Sequence, residues 1–254
     1  MAWDAKAYLG FGAERTRPAA ELLGRVAADA PARVADLGCG PGNSTALLRA
    51  RWPDAAIDAI DSSPEMLAEA RAAKLDATLI EADIARWEPG APYDVIFSNA
   101  TLQWLSAHEN LLPKLMAFVK PGGVLAFQVP RNFEEPCHTL IRETARSGPW
   151  AEKLRGVRDW WNVLSPEAYY GVLESRATAV DIWETRYVQV LEGEDAVLRW
   201  MMGTGLRPFA AALEGAEREA FLERYRAAVA EAYPRRASGR TLYPFLRLFA
   251  VARR

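Results

Sequence analysis

The chain has 254 residues, half of them apolar and a quarter charged, the balance of a folded globular protein rather than a disordered one. Its 31 Lys and Arg stand against 33 Asp and Glu, and the net charge of −2 argues against a nucleic-acid or membrane partner held by bulk charge. Two cysteines (Cys39, Cys137) exclude a disulfide scaffold or a four-cysteine zinc site, and two histidines (His108, His138) leave few ligands for any metal.

The N-terminus carries charge from residue 4 onward, and no apolar run reaches the roughly 18 residues that cross a bilayer. A cytoplasmic protein without a secretory leader is expected. Trp3, Tyr8 and Phe11 fall at roughly helical spacing and read as a packing face. Pro18 to Ala28 reads as a helix that starts at its proline, with Leu22, Leu23 and Val26 on one side. A short apolar strand follows at 33–37, then Gly38-Cys-Gly-Pro-Gly42, then a helix over 45–51 capped by Asn43 or Ser44. The rhythm repeats with strands at 56–61, 77–82, 93–98 and 124–129. Ser62-Ser63-Pro64-Glu65 opens one helix, Leu111 to Val119 forms another, and Pro121-Gly122-Gly123 reads as a turn. Apolar strands alternating with helices predict an α/β fold, a doubly wound and mostly parallel sheet covered on both faces.

The second half is less regular. Residues 131–176 are mostly helical, broken at Gly148-Pro149 and Gly156, and residues 194–232 are helical with breaks at Gly203, Gly205 and Pro208. Glu217 to Glu231 reads as a charged amphipathic helix with a solvated face. Long strands are expected at Thr178–Leu191 and Thr241–Arg253, the latter at an edge or with a bulge because of Pro244. His108 and His138 read as polar surface residues, and Cys39 has no adjacent histidine to make it a nucleophile.

In an open parallel sheet, ligands sit outside the carboxyl ends of the strands. The residues to read for chemistry are therefore Asp36 and the glycine loop, Asp61, Asp83 and Asn99. The loop spacing is G-x-G-x-G, which differs from the dinucleotide G-x-G-x-x-G and from the phosphate-binding loop, and which also suits a plain tight turn. Asp36, two residues before the loop, would lie near a bound cation. Asp61 fits two roles, an acceptor for paired ribose hydroxyls or an acid at a helix N-terminus. Asp83 fits a solvated turn or an acceptor for an adenine amino group, with Met66 and Ile84 sandwiching the ring.

Four segments together resemble the class I S-adenosylmethionine-dependent methyltransferases. They are VADLGCGPG at 34–42, IDSSPEM at 60–66, EADI at 81–84 and DVIFSNATLQW at 94–104. The resemblance covers the first 130 residues and implies a seven-stranded Rossmann-like sheet and S-adenosylmethionine as cofactor, with no metal. It implies that Asp36, Gly38, Gly40 and Gly42 hold the methionine moiety, and that Asp61 holds the ribose. Ser62 and Met66 would lie near the adenine, with Asp83 and Ile84 at its edge. Asn99 would meet the methionine end, with Gln103 and Trp104 below the transferable methyl. The implied organisation is one domain over 1–254. It has a helical segment at 1–30, a cofactor-binding core at 31–130, helical cap insertions at 131–176 and 192–237, and last strands at 177–191 and 240–254.

Outside those motifs the chain is similar to the trans-aconitate 2-methyltransferases, in WDAKAYLGFGAERTRPAAELL at 3–23, ATLQWL at 100–105, GTGLRP at 203–208 and FLRLFAVARR at 245–254. Residues 145–180 depart most from that pattern. The similarity implies esterification of a small tricarboxylate. An acid with a pKa near about 4 is ionised at neutral pH and attacks without a general base, which suits a chain with two histidines. Such a substrate needs cations, and arginine forks bind carboxylates in pairs of hydrogen bonds. Arg15, Arg17, Arg131 and Arg207 are candidates, with Tyr8 as a hydroxyl donor. Each arginine also fits a solvated surface residue. Arg207 stands out because Gly203, Gly205 and Pro208 constrain its turn. Alternatives are another small or carrier-bound acid, a quinone, a non-catalytic S-adenosylmethionine sensor, and a nicotinamide oxidoreductase that the loop spacing disfavours.

Overall fold

The computed structural model describes residues 12–157 and 162–254, with side chains from residue 16 onward. Helix α1 spans Gly12–Gly24, followed by β1 (Arg33–Leu37), α2 (Asn43–Arg51), β2 (Ala56–Asp61), α3 (Pro64–Ala72) and β3 (Thr78–Glu81). Then come β4 (Tyr93–Asn99), a single 3-10 turn at Leu102–Trp104, α4 (His108–Ala117) and β5 (Val119–Pro130). The remaining elements are α5 (Pro136–Arg146), α6 (Ala151–Leu154), α7 (Pro166–Glu174), β6 (Ala179–Glu192), α8 (Ala196–Met202), α9 (Arg207–Ala211), α10 (Gly215–Ala232) and β7 (Arg240–Arg253).

The strands form one seven-stranded sheet in the order β3-β2-β1-β4-β5-β7-β6. β1 pairs in parallel with β2 and β4, β2 with β3, and β4 with β5. β7 runs antiparallel to β5. The order reverses between β1 and β4, so a crevice opens at their carboxyl ends. Val34, Ala35 and Leu37 of β1 and Val95, Ile96 and Phe97 of β4 are all buried, which is why these strands read as unbroken apolar runs.

The described residues divide into two compact units. One comprises the described residues up to 130 together with 162–185 and 247–254, the other 131–157 and 186–246. In the first unit α1 packs on α2 and β5 through Ala19, Leu22 and Leu23. In the second, α5 packs on α10, whose Phe221, Tyr225 and Val229 form one buried stripe. The Tyr225 hydroxyl donates to the Cys137 carbonyl (2.7 Å), and Trp150 meets Phe221 edge to face.

Several local expectations are corrected. Helix α1 starts before Pro18 and carries it internally, because packing of its apolar stripe outweighs one lost backbone hydrogen bond. Helix α2 is capped by Gly42 at φ 96° and by no side chain, since the Ser44 hydroxyl is taken by Asp36. Pro121-Gly122-Gly123 lies within β5, where the pairing with β4 shifts register between Tyr93 and Val95, a bulge rather than a strand break. β7 is not an edge strand: Pro244 precedes the stretch paired with β5, Arg247–Arg253. Both histidines are buried, His108 at 1% exposure and His138 at 8%.

Candidate functional site

The carboxyl ends of β1, β2 and β4 bring three acidic or amide residues of the first unit alongside the glycine loop. Asp36 is wholly buried in β1. Its Oδ2 accepts from the hydroxyls of Ser44 (2.8 Å) and Thr45 (2.6 Å) in the first turn of α2. Its Oδ1 is buried and has no hydrogen-bond partner among the described residues. Burial pushes the carboxyl pKa up to about 6, against the opposing pull of the two hydroxyls.

The loop after β1 is tied down by backbone bonds. The Gly38 and Cys39 amides both donate to the Ile60 carbonyl (2.7 and 3.0 Å). Asp61, half-buried at the end of β2, accepts from the Gly40 amide at Oδ2 and from the Ser63 amide at Oδ1, each at 2.9 Å. One carboxylate thus joins the loop to the start of α3, and each oxygen keeps a lone pair for a further donor. All three glycines have positive φ, but their surroundings differ. A Cβ at Gly38 would lie 2.1 Å from the Thr101 side chain, and one at Gly42 2.3 Å from Leu75. A Cβ at Gly40 would meet no described atom within 4 Å. Gly40 alone fronts open space, which fits a ligand that approaches the backbone there. The Cys39 thiol is pushed up by burial, as a packed thiol is, in keeping with no nucleophilic role.

After β4 the backbone turns sharply at Ala100, whose φ is 54°. The Thr101 hydroxyl donates to the Gly38 carbonyl (3.1 Å) and bridges this turn to the glycine loop. Gln103 donates through Nε2 to the Ala100 carbonyl (2.6 Å), and its buried Oε1 has no partner among the described residues. Trp104 is 38% exposed. His108 holds the turn from behind. Its Nε2 sits 2.8 Å from the Leu102 carbonyl and must carry a proton, so Nδ1 accepts from the Tyr169 hydroxyl (2.7 Å). Burial lowers the His108 pKa, which favours the neutral ring.

The other sequence candidates are placed as follows. Ser62 is exposed beside the N-cap Ser63, whose hydroxyl oxygen accepts from the Met66 amide (3.2 Å). Met66 and Ile84 are buried, Ile84 within the main core. Asp83 is exposed and accepts from the Ala85 amide (2.9 Å). Asn99 accepts at Oδ1 from Gln128 Nε2 (3.0 Å). Arg131 and Arg207 are half-buried residues of the second unit, Arg131 directly after β5 and Arg207 opening α9. Arg17 pairs with Glu21 on the surface of α1. Tyr8 and the Arg15 side chain lie outside the described residues. Residues that sequence reasoning missed are Ser44, Thr45, Thr101, Gln128, Tyr169 and Arg247. The hydroxyls at 44 and 45, eight and nine residues past a buried acid and at the start of the helix that follows the glycine loop, were the available signal.

Among the described residues, no group of three or more His, Cys, Asp or Glu side chains could hold a metal ion. The open space at Gly40, the unpartnered Asp36 Oδ1 and the acceptor capacity of Asp61 fit a cationic ribonucleoside such as S-adenosylmethionine.

Residues 34–123 match a family described as a methyltransferase domain. The chain is 50% identical over 250 residues to a trans-aconitate 2-methyltransferase of Azoarcus sp. (strain BH72), covering 98% of each chain. It is 51% identical to the enzyme of that name from Methylobacterium nodulans, covering 99% of this chain and 98% of the relative. This chain belongs to the trans-aconitate 2-methyltransferase family. Family membership extends over the second unit as well as the first, since the aligned length is nearly the whole chain. The fold is also that of solved structures of low identity. The YcgJ protein of Bacillus subtilis superposes with a TM-score of 0.60 at 12% identity, covering 94% of this chain and 99% of that one. Phosphoethanolamine N-methyltransferase 2 of Haemonchus contortus, solved with S-adenosylhomocysteine, gives 0.55 at 14% identity over 93% of this chain and 52% of that one.

Proposed function

We propose that this chain is an S-adenosylmethionine-dependent O-methyltransferase that esterifies one carboxylate of trans-aconitate or a close tricarboxylic acid. The products are the monomethyl ester and S-adenosylhomocysteine. The observation that carries this reading is identity of about half the residues along almost the full length of relatives bearing that name. The site supports it. When bound, the cofactor supplies a methyl group on a positively charged sulfur. Asp61 takes the ribose hydroxyls, and Gly38, Gly40 and Gly42 let the backbone approach the methionine moiety, with Asp36 and Asn99 at its charged end. Ser62, Met66, Asp83 and Ile84 surround the adenine. Gln103 and Trp104 lie beside the reacting carboxylate and position it. The neutral His108 is committed to Leu102 and Tyr169, and an ionised acid needs no base. Rate enhancement then comes from orientation and exclusion of water, of which orientation supplies about 7–11 kcal/mol in favourable cases. Tyr8, Arg15, Arg131 and Arg207 hold the remaining carboxylates. We place the protein in the cytoplasm, acting on a small molecule. No helix among the described residues is long and apolar enough to cross a membrane.

The test is S-adenosylhomocysteine production with trans-aconitate, beside cis-aconitate, citrate, a malonyl carrier protein and a blank without acid. Selective turnover of trans-aconitate is expected. Cofactor binding without turnover of any acid overturns the substrate assignment.

Arg207→Ala is expected to raise the KM for the acid at least tenfold and leave S-adenosylmethionine affinity unchanged, because one charged hydrogen-bond pair to a carboxylate carries about 1.5–3 kcal/mol. Equal losses in both would refute its assignment to the acid.

A pH dependence follows from Asp36. Its carboxyl is neutral below about 6 and charged above. A cationic ligand favours the charged form, so S-adenosylmethionine affinity is level above neutral pH. It falls up to about tenfold per unit below about pH 6, the limit for one linked proton. Asp36→Asn flattens that curve at a weaker affinity. Calorimetric titration from pH 5 to 8 measures both, and an unchanged slope in the variant assigns the dependence elsewhere.

A further inference from the structure

Arg247 is a buried cation in the first unit that the proposed reaction does not use. It pairs with Pro130 at the carboxyl end of β5, the edge of the sheet where ligands bind. Its Nη1 donates to Gln128 Oε1 at 2.8 Å, and Gln128 is wholly buried. Gln128 Nε2 in turn donates to Asn99 Oδ1 at 3.0 Å, across the paired residues Asn99 and Gln128 of β4 and β5.

The direction of this chain is forced. A guanidinium has five N–H donors and no acceptor, so the Gln128 oxygen must face it. The Gln128 nitrogen then faces Asn99, and the Asn99 oxygen must face that nitrogen. What Asn99 has left to offer is its Nδ2, with two N–H donors, and no described side chain or carbonyl accepts from it. Successive hydrogen bonds polarise one another, and this series begins at a positive charge, which strengthens the last donor. Asn99 lies at the end of β4, two residues before Thr101, which bridges to the glycine loop.

We propose that Arg247 and Gln128 are positioning residues that lock the Asn99 amide with its N–H groups outward, making it a donor for a ligand carboxylate. This deepens the functional reading and rests on it. Two carboxylates meet that chemistry, the one on the methionine moiety of the cofactor and the one on the acceptor acid. An asparagine free to flip would present its oxygen as readily as its nitrogen, and would repel either of them.

Gln128→Glu separates this role from a structural one. Glutamate accepts from Arg247 as glutamine does, so the melting temperature stays at or above that of the unaltered chain. It cannot donate to Asn99, so Asn99 turns its nitrogen inward. The expected result is a 10- to 100-fold loss, on the scale of about one charge-assisted hydrogen bond. A loss in S-adenosylhomocysteine affinity places the carboxylate on the cofactor, and a loss in KM for trans-aconitate places it on the acid. Affinity for methylthioadenosine, which has no carboxylate, is unchanged in either case. Gln128→Met removes the tie without adding charge and shows a smaller loss toward the same ligand. Arg247→Lys, still donor-only, retains more affinity than Arg247→Gln, which can present either atom.

Wild-type affinity and KM in Gln128→Glu overturn the relay, as does a loss confined to Gln128→Glu and absent from Gln128→Met, which would be charge repulsion alone. Loss of methylthioadenosine affinity together with a lowered melting temperature also overturns it, as the mark of a structural role. Failure of the unaltered chain to bind S-adenosylhomocysteine overturns the functional reading itself, and the relay with it.

Discussion

Asp61→Ala is expected to weaken S-adenosylmethionine and S-adenosylhomocysteine binding by at least about 100-fold. Two ribose hydroxyls donating to one carboxylate contribute on the order of 3–6 kcal/mol, at about 1.5–3 kcal/mol for each charge-assisted bond. The same carboxylate accepts from the amides of Gly40 and Ser63, so its removal also frees the glycine loop from the start of α3. Asp61→Asn keeps one acceptor oxygen for these four donors and is expected to lose about 10- to 100-fold. Calorimetric titration of both variants gives the affinities, and far-ultraviolet dichroism checks the fold. An alanine variant that binds S-adenosylhomocysteine within threefold of the unaltered chain would falsify the ribose assignment. The variant bears on a wider question, since Asp61 is equally the acid beside a helix N-terminus. A purely structural Asp61 would show lowered stability in step with affinity, whereas a ligand-binding one loses affinity in molecules that remain folded.

The second large effect separates two glycines that look alike in the sequence. Gly40→Val is expected to fold and to lose cofactor affinity by more than about 100-fold. A Cβ at Gly40 meets no described atom within 4 Å, so the described residues leave room for the side chain. The cost there is the left-handed backbone, φ 54°, roughly 1–2 kcal/mol for an L residue and more for a β-branched one. With a ligand present, the branched side chain occupies the space the cofactor needs. Gly38→Val behaves in the opposite way. Its Cβ would lie 2.1 Å from Thr101, whose hydroxyl bridges to the Gly38 carbonyl, so the clash falls on the fold itself. The melting temperature of Gly38→Val drops by several degrees or more, on the scale of an overpacked core site. Thermal denaturation and S-adenosylhomocysteine titration of the pair decide it. If Gly40→Val binds normally, the open space belongs to no ligand. If Gly38→Val is as stable as the unaltered chain, the packing argument for Thr101 fails.

Much of the architecture was legible along the chain. Strand-helix alternation, unbroken apolar strands and turn residues between them identify a parallel sheet, and the observed strands begin and end within one residue of the expected ones except β5, which begins five residues earlier and takes in Pro121-Gly122-Gly123. Ser63 caps α3 with Pro64 in its first turn, as the Ser-Ser-Pro-Glu run implied. The errors arose where a local preference met a tertiary demand. Ser44 is a good N-cap residue, yet a buried carboxylate eight positions earlier takes its hydroxyl. Pro18 usually begins a helix, yet the buried stripe of α1 carries the helix past it on both sides. His108 is polar in composition and wholly internal in the structure, because a carbonyl and a tyrosine hydroxyl satisfy both ring nitrogens.

The fold class and the positions of Asp36, the glycine loop, Asp61, Asp83 and Asn99 are legible in the chain itself. Candidate ligand residues of a parallel sheet directly follow apolar strands, so a local pattern points at them. What each of them touches follows from the packing of segments distant along the chain. Thr101 closes over Gly38 from 63 residues away, Tyr169 meets His108 across 61, and Arg247 reaches Gln128 across 119. Hydrogen-bond partners chosen across such separations leave no periodic trace in the chain. They are fixed by which strands the sheet sets side by side and by the requirement that buried polar groups find a partner.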